Sequence, residues 1–347
     1  MTFPGDYNKI TPMQNPPPPF EDLQAQIQSA YQAGDYAAAL ELAERNTAQF
    51  PEQTPLLFYW RVCMHARLEQ PSRAIRLLAE VLESGIWYGE VLLRKSPSLK
   101  SLQGVEDFER LVALNRELQS AAQAQRYPLI ILRAEGNCQE QANPCPLLLG
   151  LHSNMSSAQT SLPLWQPAAS AGWLVAAPQS SQAMWKDAYG WDDLEVASQE
   201  IQHGYATLIR QFAVDQARSV TAGHSMGGEV AIWLALSGTI PAAGFLAVGP
   251  GGPNMNQPES WQPWIDQAVQ RQAGASGALR GCLIAGEADA SISIESCHIL
   301  GKMLNRAGIA CQVVTVPGAG HDDYRLYQPE VLRGLAGILR PAPESSF

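Results

Sequence analysis

From Phe20 to about Ala124, apolar residues recur three and four positions apart among Ala, Leu, Gln and Glu, as in Leu40 and Ala43 and then Leu56, Leu57, Trp60, Cys63 and Met64. That period keeps one face of an α-helix apolar, so the region is predicted to be helical. After Ala124 the texture changes to short apolar runs separated by Gly, Pro, Asn and Ser. Strands are predicted at Leu129 to Arg133, Pro146 to Leu151, Trp173 to Ala177, Ser219 to Ala222, Gly244 to Val248, Gly281 to Ala285 and Cys311 to Val316. Between them, helical patterns lie at about Asp193 to Phe212, Met226 to Ser237, Trp261 to Gln272, Ile294 to Ala307 and Pro329 to Leu339. Strands this apolar, alternating with helices, predict an α/β fold: a mostly parallel sheet with helices on both faces. In such a sheet, chemistry collects where strands end and loops begin.

Thr11 to Pro19 carries Pro at positions 12 and 16 to 19, a run that forms neither a helix nor a central strand. The expected organisation is therefore a disordered Pro-rich leader over 1–19, a helical domain over 20–124 and an α/β domain over 125–347. Within the helical part, Ala30 to Ala39 contains Gly34 at a turn and small Ala residues, and Pro51 closes the unit. This resembles a tetratricopeptide helical pair, and a looser copy around Ala74 has Glu69 where the turn glycine would stand. Two repeats are too few for a free-standing solenoid. The region is expected to pack on the second domain, where it would cap a site or dock a protein partner.

Composition narrows the classes. With 347 residues the chain has room for roughly two domains at about 150 residues each. Hydrophobic residues at 46% against charged residues at 16% exclude a chain held open by its own charge. A net charge of -10 argues against nucleic acid or anionic lipid as a partner. Met1 to Phe20 does not read as a secretory signal, and no apolar run is long enough to span a bilayer. The expectation is a soluble, cytoplasmic protein with no membrane span. Six scattered cysteines show no CxxC pair and no metal-ligand spacing. Free thiols are the default reading, with Cys138 and Cys145 able to pair across a turn in an oxidising compartment.

The chemistry is concentrated in Val220-Thr221-Ala222-Gly223-His224-Ser225-Met226-Gly227-Gly228. A serine with glycines two positions away on either side, between a strand and a helix, sits on a sharp turn that lifts its hydroxyl clear of the backbone. Such a hydroxyl needs a base, and the base needs a partner to fix its tautomer. Of six histidines, His321 stands in Gly318-Ala319-Gly320-His321, directly after the last strand, and is the candidate base. His152 reads as a structural ring tying its loop together. The acid is expected between Ser225 and His321 at another strand end. Asp289, in Gly286-Glu287-Ala288-Asp289, fits best, with Glu287 and Glu295 as rivals and Asp322 and Asp323 as solvated loop charges. Oxyanion donors are expected from the N–H of Met226 and from the loop after the strand ending near Leu151, with Asn154 first and Ser153 second. Trp165, Trp185 and Trp191 fall in loops on the same side and are candidates for a substrate pocket, with core or lid packing as the alternative.

Residues from about 126 to 347 resemble the α/β-hydrolase superfamily, particularly its esterases and its phospholipase/carboxylesterase branch. The resemblance rests on Gly223-His224-Ser225-Met226-Gly227-Gly228, Gly286-Glu287-Ala288-Asp289 and Gly318-Ala319-Gly320-His321 in the order Ser, Asp, His. Leu151-His152-Ser153-Asn154 departs from it by placing Ser153 where glycine is common. The resemblance implies hydrolysis of a small-molecule ester or thioester through an acyl-serine intermediate, with no cofactor and no metal. The alternative is a non-catalytic interaction protein that uses the hydrolase fold as a scaffold for its helices.

Overall fold

The computed structural model describes residues 20–123, 129–133, 138, 143–272 and 278–340; the leader expected over 1–19 lies outside the described residues. The chain divides into two compact units, Met1–Ile86 with Leu93–Asn115, and Trp87–Leu92 with Arg116–Phe347.

The first unit is helical. Phe20–Gln32, Tyr36–Asn46, Thr54–Arg67 and Pro71–Glu83 pack in succession. Gly34 makes the first turn with φ of +77°, and Asp35 caps the next helix by accepting from Ala38 N–H at 3.0 Å. At the second turn, Glu69 takes the left-handed conformation, φ +57°, that a glycine adopts freely. Leu23, Ile27, Ala39, Ala43, Leu57 and Met64 form the core, and Phe20 and Trp60 stack at its edge. These are the period-3.6 positions that define the apolar faces.

The second unit is built on a seven-stranded sheet. Its strands are β1 (Ile130–Leu132), β2 (Cys145–Leu151), β3 (Leu174–Ala177), β6 (Val214–His224), β7 (Gly244–Val248), β8 (Arg280–Gly286) and β9 (Ala310–Val316). A separate ribbon joins β4 (Ala183–Trp185) to β5 (Ala188–Tyr189). The order across the large sheet is β1-β3-β2-β6-β7-β8-β9. Every neighbouring pair is parallel except β1 with β3 at the edge. One apolar cluster covers each face, around Trp191, Trp233 and Trp261 on one side and Trp165, Tyr327 and Leu335 on the other. The expected α/β architecture is thus the one observed, and all seven expected strands are present.

Three local features differ from expectation. A helix, Ala158–Ser170, occupies what the sequence suggests is a loop. Ser157 caps it reciprocally with Thr160, and the carbonyl of Pro163, whose partner four residues on would be the N–H that Pro167 lacks, accepts from Gln328 Nε2 at 2.7 Å. The last helix begins at Tyr324 and carries Pro329 inside it. Cys138 and Cys145 are joined in a disulfide, which corrects the default of free thiols at those two positions. Cys63, Cys282, Cys297 and Cys311 are free and buried. No described helix is long and apolar enough to cross a membrane.

Candidate active site

The site begins where β6 ends. Ser225 has φ +55° and ψ -124°, a conformation costing about 1–3 kcal/mol that its surroundings must hold in place. Its N–H donates to Val248 O at 3.0 Å, and its carbonyl accepts from Gly251 N–H at 3.1 Å as well as from the first turn of the helix Met226–Ser237. The turn depends on its glycines. A Cβ at Gly223 would stand 2.0 Å from Gly227 O, and one at Gly227 would stand 2.3 Å from His152 O. From Thr221 to Leu236 every residue is buried except Ser225 and Met226, so the turn brings the serine to solvent from inside the core.

His321 and Asp289 meet across the ends of β9 and β8. His321 Nδ1 lies 2.7 Å from Asp289 Oδ2, and the other carboxylate oxygen accepts from Ser291 N–H at 2.8 Å and Ile292 N–H at 3.2 Å. The Asp289 side chain is fully buried, while that of His321 keeps 14% of its surface open. An acid fixed by main-chain donors and a base left partly exposed form an arrangement that can hold one imidazole tautomer. Gly249 backs the pair: a Cβ there would lie 3.4 Å from both Asp289 Oδ2 and His321 Nδ1. A Cβ at Gly251 would lie 3.9 Å from Ser225 Oγ. One loop, Gly249 to Gly252, therefore borders all three candidate groups. Glu287 is exposed and accepts from Gly318 N–H at 3.1 Å, a loop contact made without the imidazole.

The loop after β2 lies against the head of the helix that follows Ser225, because His152 O abuts Gly227. His152 is buried, donates from Nδ1 to Ser153 O at 2.8 Å and accepts at Nε2 from Ser180 N–H at 3.3 Å. Burial pushes its pKa down to about 4, so the ring is neutral. Asn154 Oδ1 is buried without a hydrogen-bond partner among the described residues, against Gly190.

The three tryptophans part company. Trp165 belongs to the helix Ala158–Ser170, fully buried, with its indole filling the space beside Gly150, so it packs the core. Trp185 is buried in β4 and bridges to Tyr88. Trp191 donates from Nε1 to His152 O at 2.8 Å and lines a cavity of about 760 Å3 with Leu129, Gln179, Ser180, Tyr189 and Ile201. Ser225, Asp289 and His321 do not line that cavity.

Among the described residues, one group is close enough to hold a metal ion: His224, His321 and Asp322. Three of its four ring nitrogens already have partners, since His224 Nε2 donates to His321 O, His224 Nδ1 faces the Tyr324 hydroxyl and His321 Nδ1 faces Asp289. Two residues of this neighbourhood were not legible as such. Tyr324 places its hydroxyl 3.4 Å from His224 Nδ1. Glu229 is a buried acid at the head of an apolar helix, and that solitary charge among Val230 to Leu236 was the signal.

Comparison with known proteins adds a match over residues 20–123 to a family model described as "A/B hydrolase-like, N-terminal domain". No curated protein matches the sequence. Similar solved structures include an uncharacterized protein from Bacillus cereus ATCC 10987, 19% identical, covering 92% of this chain and 99% of that one at a TM-score of 0.48. Another is the fluorophosphonate-binding serine hydrolase FphF of Staphylococcus aureus, 18% identical, with 61% and 92% coverage and a TM-score of 0.47. Esterase PE8 is 17% identical, with 60% and 100% coverage and a TM-score of 0.45.

Proposed function

We propose that this chain, an α/β hydrolase by its sheet order and its serine turn, cleaves a carboxylic ester or thioester of a small molecule through an acyl-serine intermediate. The observation that carries the reading is the 2.7 Å contact between His321 Nδ1 and Asp289 Oδ2, bordered by the same loop that borders Ser225. In this reading His321 Nε2 takes the proton of Ser225 Oγ as the oxygen attacks the substrate carbonyl. Asp289 keeps the Nδ1 proton in place and stabilises the imidazolium. The N–H groups of Met226 and of Asn154, or Ser153, receive the negative charge that develops on the carbonyl oxygen. Collapse of the tetrahedral species expels the alcohol or thiol, which leaves with the proton from His321. Water then repeats the sequence on the acyl-serine and releases the acid. Ser225, His321 and Asp289 supply the nucleophile, base and orienting acid, so the reading calls for no metal or cofactor.

Trp191, which lines the cavity of about 760 Å3, remains the proposed aromatic contact for substrate, Trp185 is packed in its ribbon, and the helices over residues 20–123 are the proposed surface for a protein partner. Residence in the cytoplasm is a proposal against which the Cys138–Cys145 disulfide weighs, and fractionation of the host cell decides it. The test of the reaction is labelling by a fluorophosphonate, which needs an activated serine. The wild type should label and hydrolyse p-nitrophenyl esters, and Ser225→Ala should do neither. Equal labelling of both would remove Ser225 from the mechanism. An unlabelled, inert wild type would favour the scaffold reading.

A further inference from the structure

The loop that borders Ser225, Asp289 and His321 is itself held from one side. Glu229 lies one turn into the helix that Ser225 opens, and its side chain is buried. Its Oε1 accepts from the N–H of Asn254 at 3.2 Å and from Asn254 Nδ2 at 2.9 Å, and its Oε2 accepts from Met255 N–H at 2.9 Å. Gly252, at φ +154°, packs directly on this carboxylate, and a Cβ there would stand 2.4 Å from Oε2. Upstream in the same loop, Gly249 N–H donates to Ile284 O at 2.7 Å and Gly251 N–H donates to Ser225 O at 3.1 Å. Pro250 fills the space over Gly228.

We propose that Glu229 is a positioning residue for this site: its carboxylate ties the Gly249–Met255 loop to the helix that carries Ser225 and so fixes the Asp289–His321 pair relative to the nucleophile. The proposal rests on the reading of Ser225 as nucleophile. A buried carboxylate is costly unless its oxygens are filled, and here three donors fill them. A hydrophobic residue at this position would leave the two main-chain N–H groups of Asn254 and Met255 without their acceptors, and the loop would shift to find others. Because there is no more than the room of one methyl group between Gly249 and the Asp289–His321 pair, where a Cβ would already stand 3.4 Å from both, a shift of the loop toward the pair is transmitted to it rather than absorbed in solvent.

Glu229→Gln tests this with little change in shape. The amide retains one acceptor and turns a donor toward a main-chain donor, so the clamp opens on one side. Expected are a tenfold or larger fall in kcat and in the rate of fluorophosphonate labelling, a KM within threefold of wild type, and loss or displacement of the low-field proton resonance from His321 Nδ1–H. Ser260→Ala, which removes only an exposed hydroxyl contact to Asn254 Oδ1, should behave as wild type. Should Glu229→Gln fail to fold, Asn254→Asp sets a second carboxylate against Glu229 from the loop side and should give the same kinetic pattern in a folded protein. A folded Glu229→Gln, or in its place Asn254→Asp, with wild-type labelling rate, kcat and proton resonance would overturn the proposal, even if its melting temperature fell. A wild type that does not label overturns instead the assignment of Ser225.

Discussion

His224 Nε2 donates to the main-chain oxygen of His321 at 2.9 Å, tying the residue before the candidate nucleophile to the candidate base across 97 positions of chain. The two rings lie 4.7 Å apart. Burial first, and the neighbouring His321 ring second, push the His224 pKa down to about 3, so it stays neutral while it donates. His224→Phe keeps a ring and loses the donor. A buried hydrogen bond left half-made costs about 1–3 kcal/mol of stability, which predicts a lower melting temperature with the fold retained and a fall in kcat as the His321 main chain loses its tie, read by circular dichroism and ester hydrolysis.

The acid can be distinguished from its rival by two isosteric changes. Asp289→Asn removes the charge beside His321 and should cost on the order of 10⁴ in kcat, whereas Glu287→Gln, on an exposed loop contact, should stay within threefold. A larger effect at Glu287 would reassign the acid.

Stability should fall in acid before the carboxylates titrate. His152 and His224 have folded pKa values depressed to about 4 and about 3 against an unfolded value near 6.5, so below pH 6.5 the unfolded chain binds protons that the native state refuses. Their contribution is complete above pH 6.5 and is lost progressively as pH falls toward 3, amounting to several kcal/mol on the order-of-magnitude scale of about 1.4 kcal/mol per unit. Melting temperatures from pH 7 to pH 4 should drop steadily, and less steeply in His152→Asn.

Reductant should lower the melting temperature without abolishing activity. The bond between Cys138 and Cys145 closes a loop of sequence separation 7, for which chain entropy gives about 2–3 kcal/mol. The double serine variant should match the reduced protein. The other four thiols are buried, with Cys63 and Cys297 pushed up to about 11 and about 12, and should resist alkylation in the native state.

A chain beginning at residue 125 should be insoluble or destabilised. It would lack Trp87–Leu92 and Arg116–Gln123, both parts of the second unit. There Gly89 N–H donates to Met184 O at 2.5 Å, Trp87 packs with Ala183 and Tyr189, and Leu118 and Ala122 cover the cluster. A soluble fragment melting like the full protein would show that these contacts are dispensable.

Legibility in the sequence followed the physics of each element. The inner strands β2, β3, β7 and β8 and the end of β6 were readable because they are buried and therefore almost uniformly apolar, whereas the edge strands β1 and β9 are only partly buried and showed as shorter apolar runs. The Ser225 turn was readable because steric demand at Gly223 and Gly227 is absolute. The helix Ala158–Ser170 was hidden by Pro163 and Pro167; the donor that Pro167 lacks is replaced by Gln328, a residue far along the chain. Reading that helix as a loop placed Trp165 near substrate, whereas its ring is core. Tyr324 could not be found by local pattern, and Glu229 showed only as a lone charge at the head of an apolar helix, since the partners of both come together only in the folded chain.

The bridge between Tyr88 and Trp185 also sets a schedule for synthesis. The ribosome delivers Trp87 and Tyr88 long before the ribbon that buries them, and the 97 residues from 88 to 185 take roughly 5–20 s at common elongation rates. During that interval two large aromatic side chains lack the native cover that the ribbon supplies. The nascent chain is thus an aggregation hazard, and its yield should depend on chaperone supply and on translation speed through this stretch more than on the stability of the finished protein.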